Sequence, residues 1–250
     1  MRFAAFLEFE QPAYIPPWYR IAFTSLLKEA LQHNKETQAL YEYYYGDHKK
    51  NIPKPFTFAV KLDVCEKISN SHKLKIGRYA TLYVSTNNYE LLSAFYNGLR
   101  SIRQYNIYGT PFKIIRFSLL PNITCSSKGV FSIFSPIVVR RVSDDKKGHG
   151  YVNVNDADYI QMLKYSIVSQ CKFLGDSYCI KTDDIVIKTN AAFPVKIPHY
   201  NKKNPENPEV IIATDGTIEI EAPQEVVQLL YDNGIGARRS QGFGMLEVMR

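Results

Sequence analysis

Along these 250 residues the spacing of apolar side chains switches between every second residue and every third or fourth. The order of those switches restricts the fold more than any other feature. "RFAAFLEFE" is a β-rich opening run, and Pro16-Pro17 then start a helix, since a fixed φ suits a first turn. In "WYRIAFTSLLKEALQ", Phe23, Leu27 and Leu31 fall at i, i+4 and i+8 with Leu26 and Ala30 beside them, which makes one apolar face. A polar, tyrosine-rich connection leads to "FTFAVKL", where Phe56, Phe58, Val60 and Leu62 alternate as a half-buried strand does. "YATLYVS" is the next strand. "NNYELLSAFYNGLRSI" follows as a helix with an Asn cap and Leu91, Leu92, Phe95, Leu99 and Ile102 on its face. "PFKIIRFSLL" closes this βαββαβ unit near residue 120.

The second half repeats the order more loosely. "FSIFSPIVVRRV" is a strand interrupted at Pro136, and a charged turn leads to "YVNV". A helix capped at Asn155 or Asp156 carries Tyr159, Ile160, Leu163 and Ile167. "DIVIKT", "EVIIATDGTIEIEA", the helix "PQEVVQLLYDNG" and a terminal strand complete the series. Two successive βαββαβ units predict an α+β chain of two tandem ferredoxin-like (RRM-like) domains, each an antiparallel sheet backed by two helices. The expected domains are residues 1–122 and 128–250, joined through "PNITCSSKG", which has linker composition.

Charge narrows the partner. Against 24 acidic residues stand 31 Lys and Arg, a net charge of +7, and the pI is near 9.1. That balance favours a polyanion, either nucleic acid or an anionic membrane surface. No apolar run approaches the ~18 residues a bilayer span needs. The first ten residues carry acids where a signal peptide would be apolar. A cytoplasmic protein without a membrane partner is expected. The four cysteines show neither CxxC pairs nor histidines at ligand spacing, so reduced thiols are expected and no metal site.

"GIGARRSQGFG", residues 234–244, places four glycines and two arginines in one loop just before the last strand. A dinucleotide fingerprint would follow a first strand and open a helix, and a Walker loop would end in GK[ST]; neither context exists here. A loop of this composition suits an extended phosphate backbone instead. Gly234, Gly236, Gly242 and Gly244 would let main-chain N–H groups approach an anion, and Arg238 and Arg239 would supply the charged fork.

This loop resembles the signature of the CRISPR-associated repeat-processing endoribonucleases, the sixth Cas protein family of the RAMP superfamily. "MRFAAFLEFE" is similar to that family's first strand, "KPFTFAVKL" to its second, and "FSPIVVRR" to the strand opening its second domain. The resemblance spans nearly the whole chain in order. It implies a cofactor-free, metal-independent endoribonuclease acting on the CRISPR precursor transcript within its repeat. The 2′-hydroxyl would attack its own phosphate, leaving a 2′,3′-cyclic phosphate and a 5′-hydroxyl.

Such chemistry needs a proton acceptor, a proton donor and positive charge around the phosphorus. By resemblance, "YYYGDHKKNIPKPFTF" places His48 at the family's catalytic histidine and Lys54 at its accompanying lysine. The family's catalytic tyrosine has no counterpart. Lys28 stands near its place, with Tyr43, Tyr44 and Tyr45 as other substitutes. His33, just past the first helix, is the rival histidine, while His72, His149 and His199 fall in expected turns and are set aside. Lys28, Lys49, Lys50, Arg140 and Arg141 join the loop as expected RNA contacts. The rival reading is a non-catalytic RNA-binding subunit working with other Cas proteins in an effector complex. Whether the chain is a monomer or a homodimer stays open.

Overall fold

The computed structural model describes residues 1–33, 37–46, 52–68, 73–102, 104–141, 150–174, 180–200 and 208–249. Its first half contains β1 (Arg2–Phe9), β2 (Ala13–Ile15), α1 (Arg20–Gln32), α2 (Gln38–Tyr45), β3 (Phe56–Leu62), β4 (Cys65–Lys67), β5 (Leu74–Ile76), β6 (Tyr79–Thr86), α3 (Tyr89–Ser101), β7 (Gln104–Ile107) and β8 (Thr110–Leu119). The second half contains β9 (Lys128–Ile133), β10 (Val139–Arg140), β11 (Tyr151–Val152), α4 (Tyr159–Leu174), β12 (Val186–His199), β13 (Glu209–Glu221), α5 (Gln224–Asn233) and β14 (Leu246–Val248).

Both halves pair their main strands alike. The first sheet runs β3-β6-β1-β8-β7 and the second β12-β13-β9-β14. Counting only the strands of each βαββαβ unit, both orders are second-third-first-fourth. All pairings are antiparallel; in β1, for example, Ala5 faces Leu82 of β6 and Phe117 of β8. These are tandem ferredoxin-like folds, as the periodicities predict.

Alternation explains the core. Phe3, Ala5, Leu7 and Phe9 of β1 are fully buried against Phe23, Leu26, Leu27 and Leu31 of α1 and Leu91, Phe95 and Leu99 of α3. Each large side chain removed from water contributes about 1.5–3 kcal/mol. The expected Asn cap is present, with the Asn88 side chain accepting from Leu91 N–H at 2.8 Å. The helices α1 and α3 cross at Gly98, where a Cβ would sit 1.9 Å from the Ala30 carbonyl oxygen. A second core gathers Phe131, Tyr159, Leu163, Ile167, Ile218, Ile220 and Leu230.

Several expectations are corrected. The tyrosine-rich connection is the helix α2, which buries only Tyr44. The first helix begins at Arg20, because Pro16 to Tyr19 form a turn. The helix α4 begins at Tyr159, since Asp156 is spent on the preceding turn, accepting from Asn153. Ile160 on that helix is exposed. "DIVIKT" is only the start of the fourteen-residue β12. Its Pro194 and Pro198 are tolerated because β12 is an edge strand. A small sheet, β2-β5-β4, was not anticipated. Among the described residues no helix is long and apolar enough to cross a membrane. Cys65 is an exposed free thiol, while Cys125 and Cys171 are buried ones.

Candidate functional site

Three elements bring two lysines onto one ring. Lys28 comes from α1, Lys54 from the segment entering β3, and Tyr45 from the last turn of α2. The Lys28 Nζ lies 4.9 Å and the Lys54 Nζ 4.7 Å from the centre of the Tyr45 ring. Burial, and then the Lys28 charge, push the Lys54 ammonium below its ordinary pKa. Burial raises the Tyr45 hydroxyl, so it stays protonated, and that hydroxyl has no hydrogen-bond partner among the described residues. Tyr41 stacks on Tyr45 at 5.6 Å.

His48, Lys49 and Lys50 lie outside the described residues. His33 caps α1 and is exposed. Five residues past Lys28 it sits about 140° further round the helix, on a different face.

The glycine loop lies between α5 and β14 and is wedged between the two halves. Its four glycines all take positive φ. A Cβ on Gly234 would meet the Thr57 side chain at 2.8 Å, and one on Gly242 would meet the Phe58 ring at the same distance. Thr57 and Phe58 belong to β3, so the loop is packed onto the other half of the chain. Several of its N–H groups bond inside the protein. Ile235 donates to Gly244, Ala237 to Val138, Gln241 to Arg238, and Gly244 to Ser135 and Pro136. The Thr57 hydroxyl in turn donates to the Phe243 carbonyl at 2.8 Å. The positive φ of these glycines thus lets the loop pack closely into the seam, where the N–H groups of Gly242 and Gly244 bond within the protein.

The two arginines part company because Arg238 itself is left-handed, φ 58°. Arg239 turns inward; it is 8% exposed, reaches the Asn233 carbonyl, and burial pulls its pKa down to about 10. Arg238 turns towards the end of the β12–β13 hairpin. Its guanidinium donates to the Tyr151 hydroxyl at 2.6 Å and to Gln241 at 2.9 Å, and meets His199 Nε2 at 3.0 Å. The Glu209 carboxylate stands 3.9 Å away. The expected two-armed fork is thus replaced by one arginine locked in a network and one inside the core. Arg140 is exposed, and Arg141 pairs with Asp158 at 3.0 Å.

His199, set aside as a turn residue, is buried in this network beside Phe243. The alternation Val195, Ile197, His199 pointed to an inward position, but the prolines masked it. Burial and the Arg238 charge hold its pKa down to about 4, with Glu209 opposing and Arg20 adding. Below the unfolded value near 6.5 the unfolded chain takes up a proton that the folded one refuses. Stability is therefore complete above pH 6.5 and falls as pH drops towards 4, by about 3 kcal/mol from this residue. His199→Gln keeps an acceptor for Arg238 but does not titrate. Its difference in unfolding free energy from wild type should shrink between pH 7 and pH 4; a constant difference would refute the assignment.

Beside this network a cleft of about 380 Å3 opens between the β4–β5 hairpin and β12. Arg20, Lys67, Lys73 and Lys196 line it together with Tyr19 and Ile197, and none of its described lining residues is acidic. Arg20 also lies 5.5 Å from the Phe243 ring, which joins the cleft to the glycine loop. Arg20 and Lys28 share α1, roughly 12 Å apart along its axis.

The family model described as CRISPR associated protein Cas6, C-terminal, matches residues 120–248. That is just over half of the chain.

The chain belongs to the Cas6 family.

A CRISPR-associated endoribonuclease-like protein Cas6 of Pyrococcus furiosus is 22% identical over 179 residues, 68% of each chain. Among solved structures, a Cas6-related protein of Pyrococcus furiosus superposes with a TM-score of 0.84 at 18% identity, covering 100% of this chain and 98% of that one. A RAMP protein described as binding different RNA substrates gives 0.79 at 17% identity, with 100% of both chains covered. A further CRISPR associated protein Cas6 gives 0.78 at 17%, covering 100% and 99%. At these identities the superpositions establish the fold. In this Cas6 family member the matched segment holds the glycine loop and the β12–β13 hairpin, while Lys28, Tyr45 and Lys54 precede it.

Proposed function

We propose that this protein is a metal-independent endoribonuclease that binds CRISPR precursor RNA and cuts it within the repeat. A domain of residues 1–122 would supply the chemistry, and one of residues 128–250 would help to hold the RNA. His48 takes the 2′-hydroxyl proton, the freed oxygen attacks the adjacent phosphorus, and the P–O5′ bond breaks as O5′ takes a proton from water. The products are a 2′,3′-cyclic phosphate and a 5′-hydroxyl. Lys54 neutralises charge on the phosphate as it becomes five-coordinate. The strand runs along α1, with its flanking phosphates on the basic cleft at Arg20.

The observation that carries this reading is the pair of lysines on Tyr45. Neither forms an ion pair among the described residues. Two half-buried cations without a counter-charge suit a site whose anion arrives with the substrate.

The test is cleavage of the host's own repeat RNA in EDTA. Cutting at one position is expected, together with complete protection by a 2′-deoxy sugar just before the cut and binding nearly unchanged. Activity restored only by added magnesium would overturn the mechanism. Tight binding of an RNA that stays intact would instead mark a non-catalytic subunit of an effector complex.

A further inference from the structure

We infer that Lys28 is a second catalytic cation, paired with Lys54 on the Tyr45 ring to clamp the non-bridging oxygens of the scissile phosphate. This deepens the RNA-cutting proposal and rests on it for the identity of the phosphate.

The geometry argues as follows. An aromatic face attracts one ammonium group by about 0.5–2 kcal/mol. Here a single ring receives two, at 4.9 and 4.7 Å. The second adds like-charge repulsion, and the Lys28 charge accordingly helps to lower the Lys54 pKa. The Tyr45 hydroxyl is buried without an acceptor among the described residues. The cation pair is relieved by an oxyanion bound between the two ammonium groups.

The count of charges identifies which oxyanion gains most. A phosphodiester carries one negative charge, whereas the five-coordinate phosphorane on the path to the cyclic phosphate carries two. Two fixed ammonium groups therefore favour the transition state over bound RNA, and only such differential interactions raise the chemical rate. The lysines neither gain nor lose protons in this step. The O2′–P bond forms, the P–O5′ bond breaks, the 2′-hydroxyl proton leaves to a base, and O5′ takes a proton as it departs.

The experiment compares wild type, Lys28→Met, Lys28→Arg and Lys54→Met in two assays. Methionine keeps the length and the helix propensity of α1. In single-turnover cleavage, Lys28→Met should lose roughly 10²-fold in rate while the RNA dissociation constant stays within about threefold, and Lys28→Arg should recover part of the rate. In thermal unfolding, millimolar pyrophosphate should raise the melting temperature of wild type, and the shift should be reduced in both methionine variants. Wild-type cutting by Lys28→Met, or an equal loss in rate and affinity, would overturn the clamp. If wild-type protein cuts no RNA at all, the endoribonuclease reading fails by itself. The pyrophosphate shift then decides the clamp alone: a shift unchanged in Lys28→Met would remove it.

Discussion

His48→Ala is expected to bind repeat RNA as wild type does and to cut it roughly 10²–10⁴-fold more slowly. A 2′-hydroxyl is a poor nucleophile until a base takes its proton, and an unperturbed histidine is half-protonated near pH 6.5, so it exchanges protons readily at neutral pH. His48 lies between α2 and β3, in the segment that leads to Lys54. His33→Ala serves as the internal comparison. It should cut at the wild-type rate, because His33 is exposed at the end of α1 on a face turned away from Lys28. A loss confined to His33→Ala would keep an enzyme and move its base. Undiminished cutting by both variants would remove His48 and His33 from the mechanism.

Gly244→Ala should lose about 3 kcal/mol or more of folding stability, read as a fall in the urea midpoint at constant slope. Two penalties combine there. The backbone is left-handed, with φ at +74°, which costs an L-residue roughly 1–2 kcal/mol. The new Cβ would also lie 2.0 Å from the Ile235 carbonyl oxygen. That residue cannot move aside without breaking the Ile235 N–H to Gly244 carbonyl bond at 2.8 Å. Gly109 separates the two penalties. Its φ is +81°, yet nothing lies within 4 Å of its missing Cβ, so Gly109→Ala should cost only the conformational part. Similar losses in the two variants would mean that the seam accommodates a methyl group.

The order of the elements was legible because each ferredoxin-like unit writes its two periods plainly, as in the buried Phe3, Ala5, Leu7 and Phe9 of β1. Where a local signal misleads, the reading fails for a nameable reason. "QALYEYYY" looks like a loop because tyrosine is a middling helix former, and α2 buries too little to show an apolar stripe. Prolines hid the second half of β12 and with it His199. The candidate site was legible residue by residue but not as an arrangement. Lys28 and Lys54 were both named, yet their meeting on Tyr45 is a tertiary event that no spacing announces. Arg238 and Arg239 look like a pair in the sequence; a single left-handed residue sends one into the core and the other into a network.

The seam filled by residues 234–244 has a consequence for genetics. Because its glycines are keystones between Thr57 and Phe58 on one side and Ile137 and Val138 on the other, a variant library scored by RNA cutting would register the loop as a hot spot through misassembly alone. Scoring soluble yield alongside cutting would tell apart substitutions that dismantle the protein from those that blunt its chemistry.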